Sequence, residues 1–158
     1  CLSQRTNEYL LNDWAEQLGY NVVSFHAMQN INGQLSPIYH TNVMMSVGKE
    51  IAIICVDSIK DDAERKAVVS TLESSGKEIV FISESQKSSF AGNMLQVVND
   101  KGQQILVMST QAFESLSGEQ VATIEKTNRI LHSSLNTIET LGGGSARCMM
   151  AEVFLPSS

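Results

Sequence analysis

Gly142-Gly143-Gly144 is the tightest constraint in the chain. Three consecutive residues without Cβ let the backbone take φ > 0 and let another backbone or a ligand approach closely. Cys148 stands four residues beyond the last glycine, with Arg147 beside it, and an apolar run from Met149 to Leu155 follows. That run predicts a short buried strand. A thiol placed where a close-approach loop enters a rigid element suits a nucleophile. The strand holds the sulfur, and the loop leaves room for a substrate. A glycine-rich turn followed by a small buried cysteine explains the same residues, and the pattern alone leaves both readings open.

The chain has 158 residues, enough for one domain with a core. Its 11 basic and 17 acidic residues give a net charge of −6 with no basic stripe, which argues against a nucleic-acid partner. Two prolines and no low-complexity tract argue against disorder. No apolar run approaches the roughly 20 residues a membrane span needs, so no membrane partner is expected. The three cysteines are scattered and odd in number, which argues against a disulfide framework and for a reducing, cytoplasmic compartment. The chain opens on Cys1. This reads either as a lipid-modified cysteine or as the interior of a longer protein. Leu2 to Gly19 already has the character of folded-domain sequence, which favours the second. Homo-oligomerisation is allowed by the sequence and not decided by it.

Local signals predict the elements in order. Asn7–Leu18 reads as a helix with Leu10, Leu11, Trp14 and Leu18 at helical spacing, Thr6 as its cap, Gly19 as its stop and Trp14 in the core. Tyr20–Phe25 reads as a strand, and Asn30–Pro37 as a polar loop. Ile38–Met45 reads as an extended segment, in which His40 and Asn42 face the same side. That places an imidazole beside a carboxamide, although two side chains satisfying backbone groups on a half-buried strand fit equally well. Glu50–Val56 is a strongly apolar strand with Cys55 packed inside it, Asp61–Leu72 a helix stopped by Gly76, and Glu78–Ile82 a strand. Met94–Val98 and Gln104–Met108 form a hairpin across the turn Asn99–Gly102. Thr110–Leu116 and the segment from Ser117 to Lys126 are helices, with Ser117 a candidate cap, and Arg129–His132 is a short strand. Asn136–Thr140 leads into the glycines. The order implies an α/β (α+β) fold that mixes hairpins with helical crossovers. No Cys/His pair has ligand spacing and no loop has the lysine and helix start of a phosphate cradle, so neither a metal nor a cofactor is expected.

Three pieces carry a family resemblance: Tyr39-His40-Thr41-Asn42-Val43-Met44-Met45, Ala91-Gly92-Asn93-Met94-Leu95, and Gly142-Gly143-Gly144-Ser145-Ala146-Arg147-Cys148-Met149-Met150. In that order and at those separations they resemble the guanidino-group modifying enzymes, which include arginine deiminases, dimethylarginine hydrolases and amidinotransferases. The nearest likeness is to the citrulline-utilisation hydrolase branch, and it runs from Cys1 to about Leu155. The resemblance implies an α/β propeller (the pentein fold) of five ββαβ-type modules. Residues 1–158 would supply about three of these as the C-terminal portion of one catalytic domain, with the N-terminal part as the missing partner.

The resemblance also implies a chemistry. The carbon of a guanidine or urea is a poor electrophile, and a thiolate divides its attack into two easier steps. Cys148 would be the nucleophile and form an S-amidino or S-carbamoyl enzyme. His40 would protonate the leaving nitrogen and later deprotonate water. Asn42, Asn93 and Arg147 are the candidate substrate-binding residues. Arg147 is either a carboxylate anchor or a structural ion-pair partner. Many relatives carry an acid where Asn42 stands. A carboxamide donates and accepts hydrogen bonds, so it suits a neutral ureido group better than a cation. The expected activity is therefore hydrolysis of a citrulline- or arginine-like small molecule. The alternatives are transfer of the amidino group to an amine, or a non-catalytic binding module that keeps the fold. His26 and His132 belong to no motif.

Overall fold

Ile51-Ala52-Ile53-Ile54 is apolar on both faces and is buried throughout, as a central strand must be. In the computed structural model, which describes residues 1–152, this strand (β4, Ile51–Ile54) lies between two partners. β3 (Met45–Val47) pairs with it antiparallel and β5 (Glu78–Phe81) parallel. The parallel partner is reached through the helix α2 (Asp62–Ser74). Asp61 caps that helix by accepting from the backbone N–H of Ala63 and Glu64, both at 2.9 Å.

The next segment repeats this order. β6 (Leu95–Val98) and β7 (Gln104–Ser109) form a hairpin, and β8 (Arg129–Ser133) returns parallel to β7. Between β7 and β8 lie two helices, α4 (Thr110–Ser115) and α5 (Gly118–Glu125). Each three-stranded unit is thus a hairpin plus a helical crossover to a parallel strand. Two such units are present among the described residues, where about three were expected, and none of the sheets closes on itself.

Amides join the units. A short helix, α3 (Glu84–Ser88), and α5 both begin with a capping box, Ser83 with Gln86 and Ser117 with Gln120. The two glutamines also bond each other, Gln86 Nε2 to Gln120 Oε1 at 2.6 Å and Gln120 Nε2 to Gln86 Oε1 at 3.2 Å. Gln96 does the same nearer the hairpin turns, accepting from Lys49 N–H and donating to Asn128 Oδ1. One core, from Phe25 to Ile124, runs through both units.

The N-terminal region departs from expectation. A helix forms, α1 (Glu8–Leu18), but Asn7 caps it instead of Thr6. Trp14 is 53% exposed and stacks on Tyr20 at 5.3 Å, so it is not a core residue. Ala15 is the buried position of α1, because the stripe with the large side chains faces away from the sheets. Tyr20–Phe25 is not a strand: its backbone finds no sheet to join beyond a bridge between Leu2 and His26. The expected loop at 30–37 is a hairpin, β1 (Met28–Ile31) with β2 (Gln34–Pro37). Asn32 and Gly33 make its turn with φ of +53° and +83°, the residue pair a type I′ turn calls for. Thr41–Val43 is a 3₁₀ turn, so the alternation argument for His40 and Asn42 fails. A last helix, α6 (Asn136–Gly142), runs into the glycines and ends at Gly143 with φ of +66°. Ala146–Met149 is another 3₁₀ turn where the predicted strand should begin, and the rest of that strand, from Val153, lies outside the described residues. Among the described residues no helix is long and apolar enough to cross a membrane.

Candidate active site

Gly92 has no Cβ because there is no room for one. An added methyl would lie 2.6 Å from the Val43 carbonyl oxygen and 2.8 Å from the Met44 carbonyl carbon. The chain after α3 is thereby pressed against the segment carrying His40 and Asn42. Gly144 makes the second close approach: its Cβ would stand 3.1 Å from Cys148 Cβ and 3.3 Å from the sulfur. The first contact joins two distant stretches of sequence, and the second tightens the turn that carries the sulfur.

Asn93 holds the junction. Its side chain is buried, and its Nδ2 donates to the Asn42 carbonyl at 3.0 Å and lies 3.3 Å from Cys148 Sγ. Its Oδ1 accepts from the Arg147 backbone N–H at 3.1 Å. One carboxamide therefore ties the 40s turn to the cysteine turn and aims a donor at the sulfur. The Asn42 carboxamide approaches from another direction, with Nδ2 at 3.8 Å. N–H donors suit a sulfur that carries negative charge, since hydrogen bonds to an anion are the stronger ones.

A cavity of 210 Å³ opens beside the sulfur. His40, Asn42, Asn93 and Cys148 all line it, together with Tyr39, Lys87, Phe90, Gly143 and Gly144. The imidazole of His40 meets the Tyr39 ring edge-on at 4.9 Å, and the Arg5 guanidinium covers the Tyr39 ring at 5.3 Å. Phe90 takes φ +64°, a conformation rare for a bulky residue, at the same wall. No acidic residue lines the cavity among the described residues.

The cysteine turn is anchored from behind. Ser145 is fully buried and donates to Glu139 Oε1 at 2.7 Å, while Glu139 Oε2 is buried without a partner among the described residues. The Cys148 backbone N–H bonds the Ser145 carbonyl at 3.0 Å. Cys148 itself is exposed, whereas Cys55 is enclosed, and burial pushes the Cys55 thiol up from its ordinary value of 9.0.

Arg147 stands apart from the other candidates. It does not line the cavity, and its guanidinium donates to the Met94 carbonyl at 3.3 Å. His26 pairs with Glu64 at 2.9 Å, and His132 stacks on Phe113 at 4.2 Å, both away from the cavity. The sequence reading passed over Lys87, which carries no local signature, and over the Glu139–Ser145 anchor. The buried serine after three glycines was the available hint. Among the described residues no three His, Cys, Asp or Glu side chains gather as a metal site.

A family model described as N,N dimethylarginine dimethylhydrolase, eukaryotic, matches residues 1–155. No curated protein matches the chain.

Proposed function

Because the chain belongs to the N,N dimethylarginine dimethylhydrolase family, a family of amidine hydrolases, we propose that it cleaves a C–N bond of a guanidino or ureido amino acid through Cys148. The observation that carries this reading is the sulfur bracketed by the Asn93 and Asn42 amides in a cavity that His40 also lines. Cys148 attacks the central carbon of the substrate. The tetrahedral adduct collapses as His40 protonates the departing nitrogen, which leaves an S-carbamoyl or S-amidino enzyme. His40 then takes a proton from water, whose oxygen attacks the same carbon and expels the thiolate. Asn93 and Asn42 hold the sulfur and steady its charge. Arg147 acts through its backbone bond to Asn93, not as a carboxylate anchor.

The substrate we favour is a neutral ureido amino acid of the citrulline type, giving ornithine, carbon dioxide and ammonia. A guanidinium bound in a partly dry site calls for a carboxylate. The cavity wall offers a carboxamide at Asn42 and a lysine at position 87. The second reading is a methylated arginine, which the matched family's description favours. Transfer to an amine instead of water is the same chemistry with a different acceptor. The repeated hairpin-and-crossover units support a partial α/β propeller, with a further N-terminal part completing it in a reducing, cytoplasmic setting.

Incubating the protein with citrulline, N,N-dimethylarginine and arginine side by side decides among these. Ornithine released from citrulline, with a carbamoyl mass on the Cys148 peptide after acid quench, is the expected result. Faster turnover of either guanidine than of citrulline removes the ureido assignment, and turnover that survives Cys148→Ser removes the mechanism.

A further inference from the structure

Lys87 is the only Lys or Arg among the described residues that line the cavity, and its side chain is 4% exposed. A buried ammonium is costly unless it is paired and hydrogen-bonded. Here it is both. Nζ donates to Glu84 Oε2 at 2.6 Å and to Ser58 Oγ at 3.0 Å, and the Ser58 hydroxyl donates to Glu84 Oε1 at 2.9 Å. The three side chains form a closed triangle. Lys87 lines the cavity, and neither Glu84 nor Ser58 does; the Glu84 side chain is 42% exposed, so solvent reaches the carboxylate while the lysine is enclosed. Ser58 also contacts the Cys55 thiol at 3.6 Å, which seats the triangle on the core at the end of β4.

We propose that the Lys87–Glu84 pair sets the charge this cavity accepts: the lysine cancels the carboxylate it is paired with, and so denies a cationic group the counter-charge it needs beside Cys148. The inference rests on the reading that this cavity receives the reacting group. Its two halves make opposite predictions. Without Lys87 the Glu84 charge near the cavity is uncompensated and draws cations in. Without Glu84 the ammonium is uncompensated and repels them. At an effective dielectric of about 20, a unit charge within about 10 Å changes a rate ratio by about tenfold, and by less where solvent reaches the charge.

The test uses two thiol reagents of nearly the same shape, cationic chloroacetamidine and neutral chloroacetamide. In each case the Cys148 thiolate displaces chloride, so an S–C bond forms as the C–Cl bond breaks. The rate is read by mass spectrometry on the Cys148 peptide, which keeps Cys1 and Cys55 out of the measurement. Both reagents need the same thiolate, so the ratio of their rates cancels any change in thiol ionisation. Lys87→Gln should raise the cation-to-neutral ratio by about tenfold and Glu84→Gln should lower it by about as much. The double variant should return to within about twofold of the parent. Single variants that move the ratio in the same direction, or by less than about twofold, overturn the proposal. If Lys87→Gln loses its fold by circular dichroism, the sign of the Glu84→Gln shift decides alone. Substrate turnover by the unsubstituted protein is read separately. A protein that turns over none of the substrates but shows opposed ratio shifts loses the proposed reaction and keeps the charge assignment.

Discussion

Ile53 in β4 and Leu10 in α1 are both aliphatic residues placed by regular apolar patterns, yet Ile53 is wholly buried and Leu10 is 63% exposed. The difference extends to their surroundings. From β3 to β8 each sheet has a helix or a neighbouring unit to pack on, and the core runs through both units. Residues 1–37 contribute only Phe25 and Ala27 to that core. Tyr9, Leu10, Trp14 and Leu18 of α1 keep more than half of their surface exposed. Periodicity shows which face of an element is apolar, but burial also needs a second layer to cover that face. The cavity sits where these regions meet: Lys87, Ser88, Phe90 and Asn93 come from between β3 and β8, and the rest of its lining comes from before β3 or after β8.

This contrast can be pressed experimentally. Cys148→Ser should have the largest effect, a loss of turnover of about 10³-fold or more in a citrulline assay, with thermal stability unchanged because the side chain is exposed. Ile53→Ala should cost about 2–5 kcal/mol in urea unfolding. Leu10→Ala should stay within about 0.5 kcal/mol, and a cost near that of Ile53→Ala would show that the face of α1 is covered in solution. Gly92→Ala should cost about 1–3 kcal/mol and slow turnover as well, since the new methyl must displace the Val43 carbonyl and with it the turn bearing Asn42. The smallest effect concerns pH. Burial pushes the Glu84 carboxyl up, but the hydrogen bonds from Lys87 and Ser58 and the lysine charge outweigh it, holding it below its ordinary 4.5. A carboxyl lowered by folding stabilises the fold above 4.5, and that contribution is lost as pH falls through the folded value. The melting-temperature gap between the parent and Glu84→Gln should therefore be present near neutral pH and narrow below pH 4.5.

Legibility followed the range of the forces involved. The helix α2, Ser117 capping α5 and the hairpin of β6 and β7 were read from neighbouring residues, since those contacts close within a few positions. The Asn32-Gly33 turn was equally local and was passed over, because the polar residues around it resembled a loop. The 3₁₀ turn at Thr41–Val43 was not legible. It packs against Gly92, which meets Val43 and Met44 from some fifty positions away. His40 and Asn42 line the same cavity for that reason and not through strand alternation.

The sequence by itself determined the composition class, most of the element order in the two sheet units, and the motifs that mark Cys148, His40, Asn42 and Asn93. Those are properties of neighbouring residues and of residue type. Tertiary structure alone decided that one buried carboxamide spans the two turns, that the Arg147 guanidinium bonds the Met94 carbonyl, and that Lys87 at the cavity wall is paired with Glu84. Hydrogen bonds between groups fifty positions apart form only where packing brings the backbones close, and here a residue without Cβ, Gly92, allows that approach.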